Sequence, residues 1–146
     1  MNDYSRTSLR LRKVWEDETL LELNMIVTSP HCKVNIHFYT TIEDLKDLKD
    51  NLTLFSNLKR KEYHWIQGED NESAAQYVQV RFFHFNNQGH IGVEFVLDNK
   101  LDIPDRTRVN FYLITELNQI DDFIYKLEGL IKGITDSLES ISEARV

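Results

Sequence analysis

The chain has 146 residues, of which 41% are apolar and 28% charged, and its 8 Phe, 6 Tyr and 2 Trp can fill one core. That composition excludes a disordered, collagen-like or disulfide-stapled chain, and no apolar run approaches the roughly 20 residues of a membrane span. Lys+Arg 17 against Asp+Glu 24 leaves a net charge of −7, which repels phosphate backbones and makes nucleic acid a poor partner; a basic partner would be attracted instead.

Residues 1–6 read as a loose start. Leu9 and Leu11 then alternate with Arg10 and Arg12, the period-2 pattern of a half-buried strand. Leu21, Leu23, Met25 and Val27 repeat the pattern against Glu22 and Asn24. Ser29-Pro30-His31 is a turn, because proline cannot continue a strand ladder. Val34, Ile36 and Phe38 form the apolar face of a third strand, which should pair with the second as a hairpin. Cys32 is the one cysteine, so no intrachain disulfide can form.

Thr40-Thr41-Ile42-Glu43 begins a helix, with Thr40 as the cap and Glu43 completing a capping box. Ile42, Leu45, Leu48, Leu52 and Phe55 follow at helical spacing, and the helix should end near Asn57. Tyr63, Trp65 and Ile66 suggest a short fourth strand, and 68–73 an exposed loop. Across 76–85, Val78, Val80 and Phe82 face one way, and Tyr77, Gln79, Arg81, Phe83 and Phe85 the other. Asn86-Asn87-Gln88-Gly89 is a hairpin turn, and Ile91, Val93, Phe95 and Leu97 mark the returning strand. A polar loop containing Pro104 leads to a last strand at Val109, Phe111 and Leu113. Thr115 caps the final helix, with Glu116 in its first turn and an apolar stripe from Leu117 to Ile134. Leu138 and Ile141 could prolong that helix, but the intervening serines favour fraying.

The expected fold is therefore α+β, in two layers. A mostly antiparallel sheet of six to seven strands carries two amphipathic helices on one face. The helices should cover Leu9, Val34, Ile36, Phe38, Val78, Val80, Phe82, Val93, Phe95, Phe111 and Leu113. Residues 1–146 read as one domain, with 1–6 and 136–146 as loose ends. The start shows no basic segment followed by roughly 7–15 apolar residues, so a cytoplasmic location is expected.

Catalytic signatures are missing. The histidines His31, His37, His64, His84 and His90 have no metal-ligand spacing, and there is no nucleophile elbow or phosphate-cradling glycine loop. Neither enzymatic activity nor a metal or cofactor is expected. What stands out is the sheet face turned away from the helices. His37, Tyr39, Tyr77, Arg81, Phe83, Phe85, Glu94 and Tyr112 are the candidate partner-binding residues there, because aromatic side chains mixed with arginine are typical of interfaces. A homodimer would use the same residues, so a small scaffold or homodimeric interaction domain is the alternative.

Several stretches resemble the WapI-type immunity proteins of bacterial polymorphic toxin systems. Gln88-Gly89-His90-Ile91-Gly92-Val93-Glu94-Phe95 is similar to that family's turn and alternating strand. Val109-Asn110-Phe111, then Thr115-Glu116 through Ile120, Phe123 and Leu127, resembles its closing strand and last helix, although Leu117-Asn118 stands where the family pattern has a glutamine nearby. Phe38 with Ile42, Leu45, Leu48 and Leu52 resembles its earlier strand and helix. The resemblance implies an intracellular inhibitor that binds a cognate toxin domain, in many cases a nuclease, without catalysis. An acidic inhibitor suits a nuclease, whose phosphate-binding site must be basic.

Overall fold

The computed structural model describes residues 7–144; residues 1–6 and 145–146, including the expected loose start, lie outside the described residues. Among the described residues eight strands and two helices follow one another as β1 (Thr7–Glu16), β2 (Leu21–Thr28), β3 (Lys33–Thr40), α1 (Ile42–Ser56), β4 (Glu62–Gly68), β5 (Tyr77–His84), β6 (His90–Asp98), β7 (Arg108–Glu116), α2 (Leu117–Ile131) and β8 (Ser137–Ser142). The α+β class is as expected, but the strands form two antiparallel sheets rather than one. The first has the order β3-β2-β1-β8 and the second β4-β5-β6-β7. Period-2 alternation fixes which face of a strand is buried, not which sheet the strand joins. Here each helix carries the chain from one sheet to the other.

The expected loose end at 136–146 is corrected over most of its length. Ser137–Ser142 pairs with β1, placing Leu138 opposite Leu11 and Ser140 opposite Leu9. The helix does not run on because Gly133 (φ 74°) reverses the chain. Its N–H donates to the Leu130 carbonyl (3.2 Å) and that of Ile134 to the Gly129 carbonyl (2.9 Å), a Schellman stop. Both helix caps also differ from expectation. Thr41, not Thr40, accepts the Asp44 N–H (3.0 Å), because β3 runs through Thr40, whose hydroxyl donates to Gln67 Oε1 (2.6 Å). Thr115 caps nothing; its hydroxyl donates to the Ser142 carbonyl (2.6 Å) and so holds β8 in place.

The inner faces of both sheets and the apolar stripes of both helices form one core cluster. Leu45, Leu48, Leu52 and Phe55 of α1 meet Ile120, Phe123, Leu127 and Leu130 of α2 within it. Of the sheet residues expected inside, Phe111 alone is only partly buried, and it stacks on Phe95 at 5.2 Å. The sheets are also tied at two seams. At one, the Ala144 N–H donates to the Ile114 carbonyl (2.8 Å). At the other, the Gln76 side-chain amide bonds both backbone groups of Tyr39, accepting its N–H (2.5 Å) and donating to its carbonyl (2.6 Å).

Candidate protein-interaction surface

The two outward sheet faces differ in chemistry. On the β3-β2-β1-β8 sheet the outward residues include Arg10, Arg12, Asn24, Asn35, His37, Ser137 and Glu139, with Ile26, Tyr39 and, past the register shift in β1, the exposed Trp15 as apolar exceptions. Arg10 pairs with Glu139 (2.8 Å) and His37 with Glu22 (3.0 Å). Apart from those apolar side chains the face is polar.

The outward face of the β4-β5-β6-β7 sheet is richer in apolar and aromatic groups. Antiparallel register sets its side chains in cross-strand rows. Ile66, Gln79, Val96 and Asn110 form one, His64, Arg81, Glu94 and Tyr112 the next, and Glu62, Phe83, Gly92 and Ile114 a third. Tyr77 begins the face at one end, and Phe85, just past β5, is exposed at the other.

Arg81 organises the middle of this face. Its Nε donates to Glu94 Oε1 (2.8 Å), and Nη1 lies 3.6 Å from Glu62 Oε2. Glu94 Oε2 also accepts from Asn110 Nδ2 (3.0 Å), and Glu62 is bonded to His64 Nε2 (2.9 Å). Burial pushes the Glu94 carboxyl up, but the bonds from Asn110, Arg81 and Tyr112 outweigh it and hold the group below its ordinary value. The His64 bond likewise lowers Glu62, and the Glu94 bond raises Arg81. The Arg81 guanidinium sits 4.2 Å from the centre of the Phe83 ring, which meets Tyr112 edge-on at 6.4 Å. Phe83 can lie flat because Gly92 is opposite: a Cβ there would be 2.3 Å from the Phe83 ring.

These charges are already mutually bonded. A partner covering the face would therefore bury no orphaned charge, which is the usual penalty for desolvating arginine and carboxylate groups.

Of the expected binding residues, Tyr77, Arg81, Phe83, Glu94 and Tyr112 share this face, with Phe85 at its margin. His37 and Tyr39 do not; they stand on β3, the edge of the other sheet. They come near only through Gln76, which holds the Tyr39 peptide and immediately precedes Tyr77. Sequence reasoning missed Glu62, His64 and Gly92. The first two were visible as alternation with Tyr63 and Trp65, and Gly92 as a glycine inside a strand opposite an aromatic residue.

One end of the face is closed by ion pairs. Asp98 is fully buried, and its Oδ2 accepts from Arg106 Nη2 and Arg108 Nη1, each at 3.0 Å. Arg108 also forks onto Asp70 (2.8 and 2.9 Å), which Lys100 bonds at 2.8 Å. Burial pushes the Asp98 carboxyl up, but the Lys100 backbone N–H and the two arginines outweigh it and hold it below its ordinary value. The Arg108 and Lys100 bonds lower Asp70 further still.

His37, His64, His84 and His90 have local partners or packing. His84 stacks on Phe55 at 4.7 Å and His90 Nδ1 is 2.9 Å from Asn86 Nδ2. Among the described residues no group of three or more His, Cys, Asp or Glu could hold a metal ion, and no helix is long and apolar enough to cross a membrane. No family model, curated protein or solved structure matches the chain.

Proposed function

We propose that this protein acts by binding another protein, as a cytoplasmic immunity-type inhibitor that occupies a cognate toxin domain through the outward face of the β4-β5-β6-β7 sheet. The observation that supports this most is the contrast between the two outward faces. One is mainly polar, with Trp15, Ile26 and Tyr39 set among charged and amide side chains, and the other combines Tyr77, Phe83, Tyr112, Ile66 and Val96 around an Arg81–Glu94 pair that is already satisfied. Aromatic residues and arginine supply most of the energy in such interfaces. The net charge of −7 adds long-range attraction for a basic toxin, and the resemblance to immunity proteins gives the reading its biological setting. No chemical step is assigned to any residue.

The test is co-expression with the toxin-like domain encoded beside it, scoring cell survival and co-purification. Rescue with a one-to-one complex is expected. Tyr112→Ala should weaken that complex by about tenfold or more, as truncation of a central aromatic does. Absence of rescue and of a complex overturns the reading. In that case a dimer of native protein that Phe83→Asp converts to monomer would place a second copy on the same face.

A further inference from the structure

The β6–β7 connection displays apolar side chains in water, on a loop that is firmly held. Residues 101–105 read Leu-Asp-Ile-Pro-Asp and are all exposed, with Ile103 88% and Leu101 51% accessible. Scattered exposed hydrophobics are ordinary. These two differ in how their support is built. Asn99 Oδ1 accepts the N–H groups of both Leu101 (3.1 Å) and Thr107 (3.0 Å), and Asn99 Nδ2 donates to the Asp105 carbonyl (3.1 Å). The Asp105 N–H closes the tip onto the Asp102 carbonyl (2.8 Å). Beneath it, buried Asp98 gathers Arg106 and Arg108, and the Lys100 side chain, only 4% exposed, lies against Asp70 and Asp98.

The charge layout follows from this. All three cations of the loop region point to the base and are engaged there. Asp102 and Asp105 stay at the tip, and among the described residues neither has a cation within ion-pairing distance. The tip therefore offers two apolar side chains, Leu101 and Ile103, flanking Asp102, with the second uncompensated carboxylate, Asp105, two residues past Ile103. It lies directly beside the Asp98–Arg108 end of the candidate face.

We propose that residues 101–105 form a preformed plug, which seats Leu101 and Ile103 in an apolar pocket of the protein partner rimmed by lysine or arginine. The inference rests on the protein-binding reading above and adds a contact outside the sheet face. A loop already fixed in its bound shape loses little conformational entropy on docking. Basic rim groups would pair Asp102 and Asp105, which the loop leaves free, so recognition favours a cationic partner over an acidic one.

The test uses the full chain in the organism that encodes it, with a photo-crosslinker installed as Ile103→p-benzoylphenylalanine or, separately, Tyr112→p-benzoylphenylalanine. The expected result is an adduct from position 103 to one protein, at apolar residues flanked by Lys or Arg. With that protein purified, Ile103→Ala should weaken binding about tenfold, while its melting temperature stays unchanged because the side chain is in water. The pair Asp102→Asn with Asp105→Asn should flatten the salt dependence of association. An adduct from 112 with none from 103 overturns the plug and leaves the sheet-face reading standing. An adduct from 103 whose affinity ignores Ile103→Ala also overturns the plug. An adduct from 103 alone keeps the plug and removes the sheet face from the interface. No adduct from either position overturns both.

Discussion

Gly92 matters because of one missing atom. Phe83 lies across the space that a Cβ would fill, 2.3 Å from its ring, so Gly92→Ala must displace the ring or bend β6. Overpacking of this kind costs about 1–3 kcal/mol, measurable by urea unfolding. In a Phe83→Ala background the same substitution should cost far less, since the obstructing ring is gone. Equal costs in the two backgrounds would mean the strain lies in the backbone instead. Glu128 makes a different argument at the same scale. It sits between Lys49 (2.8 Å) and Lys132 (2.9 Å), and those bonds lower its carboxyl from 4.5 to about 2. A depressed folded-state value means the contribution is complete above pH 4.5 and fades as pH falls toward about 2. Glu128→Gln should therefore be less stable than the native chain at neutral pH, with the difference closing over that window. A constant difference across the window would assign the loss to packing.

Both helices end in the same hydrogen-bonded stop, but with different residues in it. At the end of α2 the left-handed position is Gly133; at the end of α1 it is Leu58, with φ 62°. The bonds are equivalent: Leu58 N–H to the Phe55 carbonyl (3.1 Å) and Lys59 N–H to the Leu54 carbonyl (2.9 Å). A non-glycine residue in this region costs roughly 1–2 kcal/mol, and glycine returns about half of that as unfolded-state entropy. Leu58 is well exposed, so little packing is lost. Leu58→Gly should stabilise the protein by up to about 1 kcal/mol in urea unfolding, and destabilisation would reveal a packing role for the leucine. The apolar stripes of both helices were legible in the sequence, because 3.6-residue periodicity survives any tertiary arrangement. Their ends were less so: Thr40 and Thr41 are chemically equal caps, and only the reach of β3 decides between them. β8 was obscured for a similar reason. Leu138 and Ile141 continue helical spacing from Ile134, while Ser137-Leu138-Glu139-Ser140 also alternates as a strand, and the Gly133 reversal selects the strand. On the candidate face, alternation along β5 to β7 exposed the aromatic row. The Asp70–Arg108 fork joins residues 38 apart and leaves no local pattern to read.

At the scale of the whole molecule, the question is what keeps two separate sheets on one core. Hydrophobic burial holds their inner faces together without direction, so alignment of the edges falls to the two seams. The β8 seam uses backbone, with Ala144 bonded to Ile114 at 2.8 Å. The β3 seam uses a side chain, because the Gln76 amide stands where the peptide group of a neighbouring strand would be. It also satisfies the edge of β3 at Tyr39, where an open peptide could recruit another chain. Two bonds worth about 0.5–1.5 kcal/mol each put the cost of Gln76→Ala near 1–3 kcal/mol. Global stability alone cannot distinguish a seam from any other pair of bonds; amide exchange can. If Gln76 fastens the sheets locally, the Tyr39 amide should exchange much faster in Gln76→Ala than the global loss explains, while the Ala144 amide slips only by the global amount. Equal acceleration at both amides would mean that the seams open together and that the two sheets move as one cooperative unit. The outward face of the β4-β5-β6-β7 sheet would then be as rigid as the core beneath it, which is the condition under which its rows of side chains can present one fixed surface to a partner.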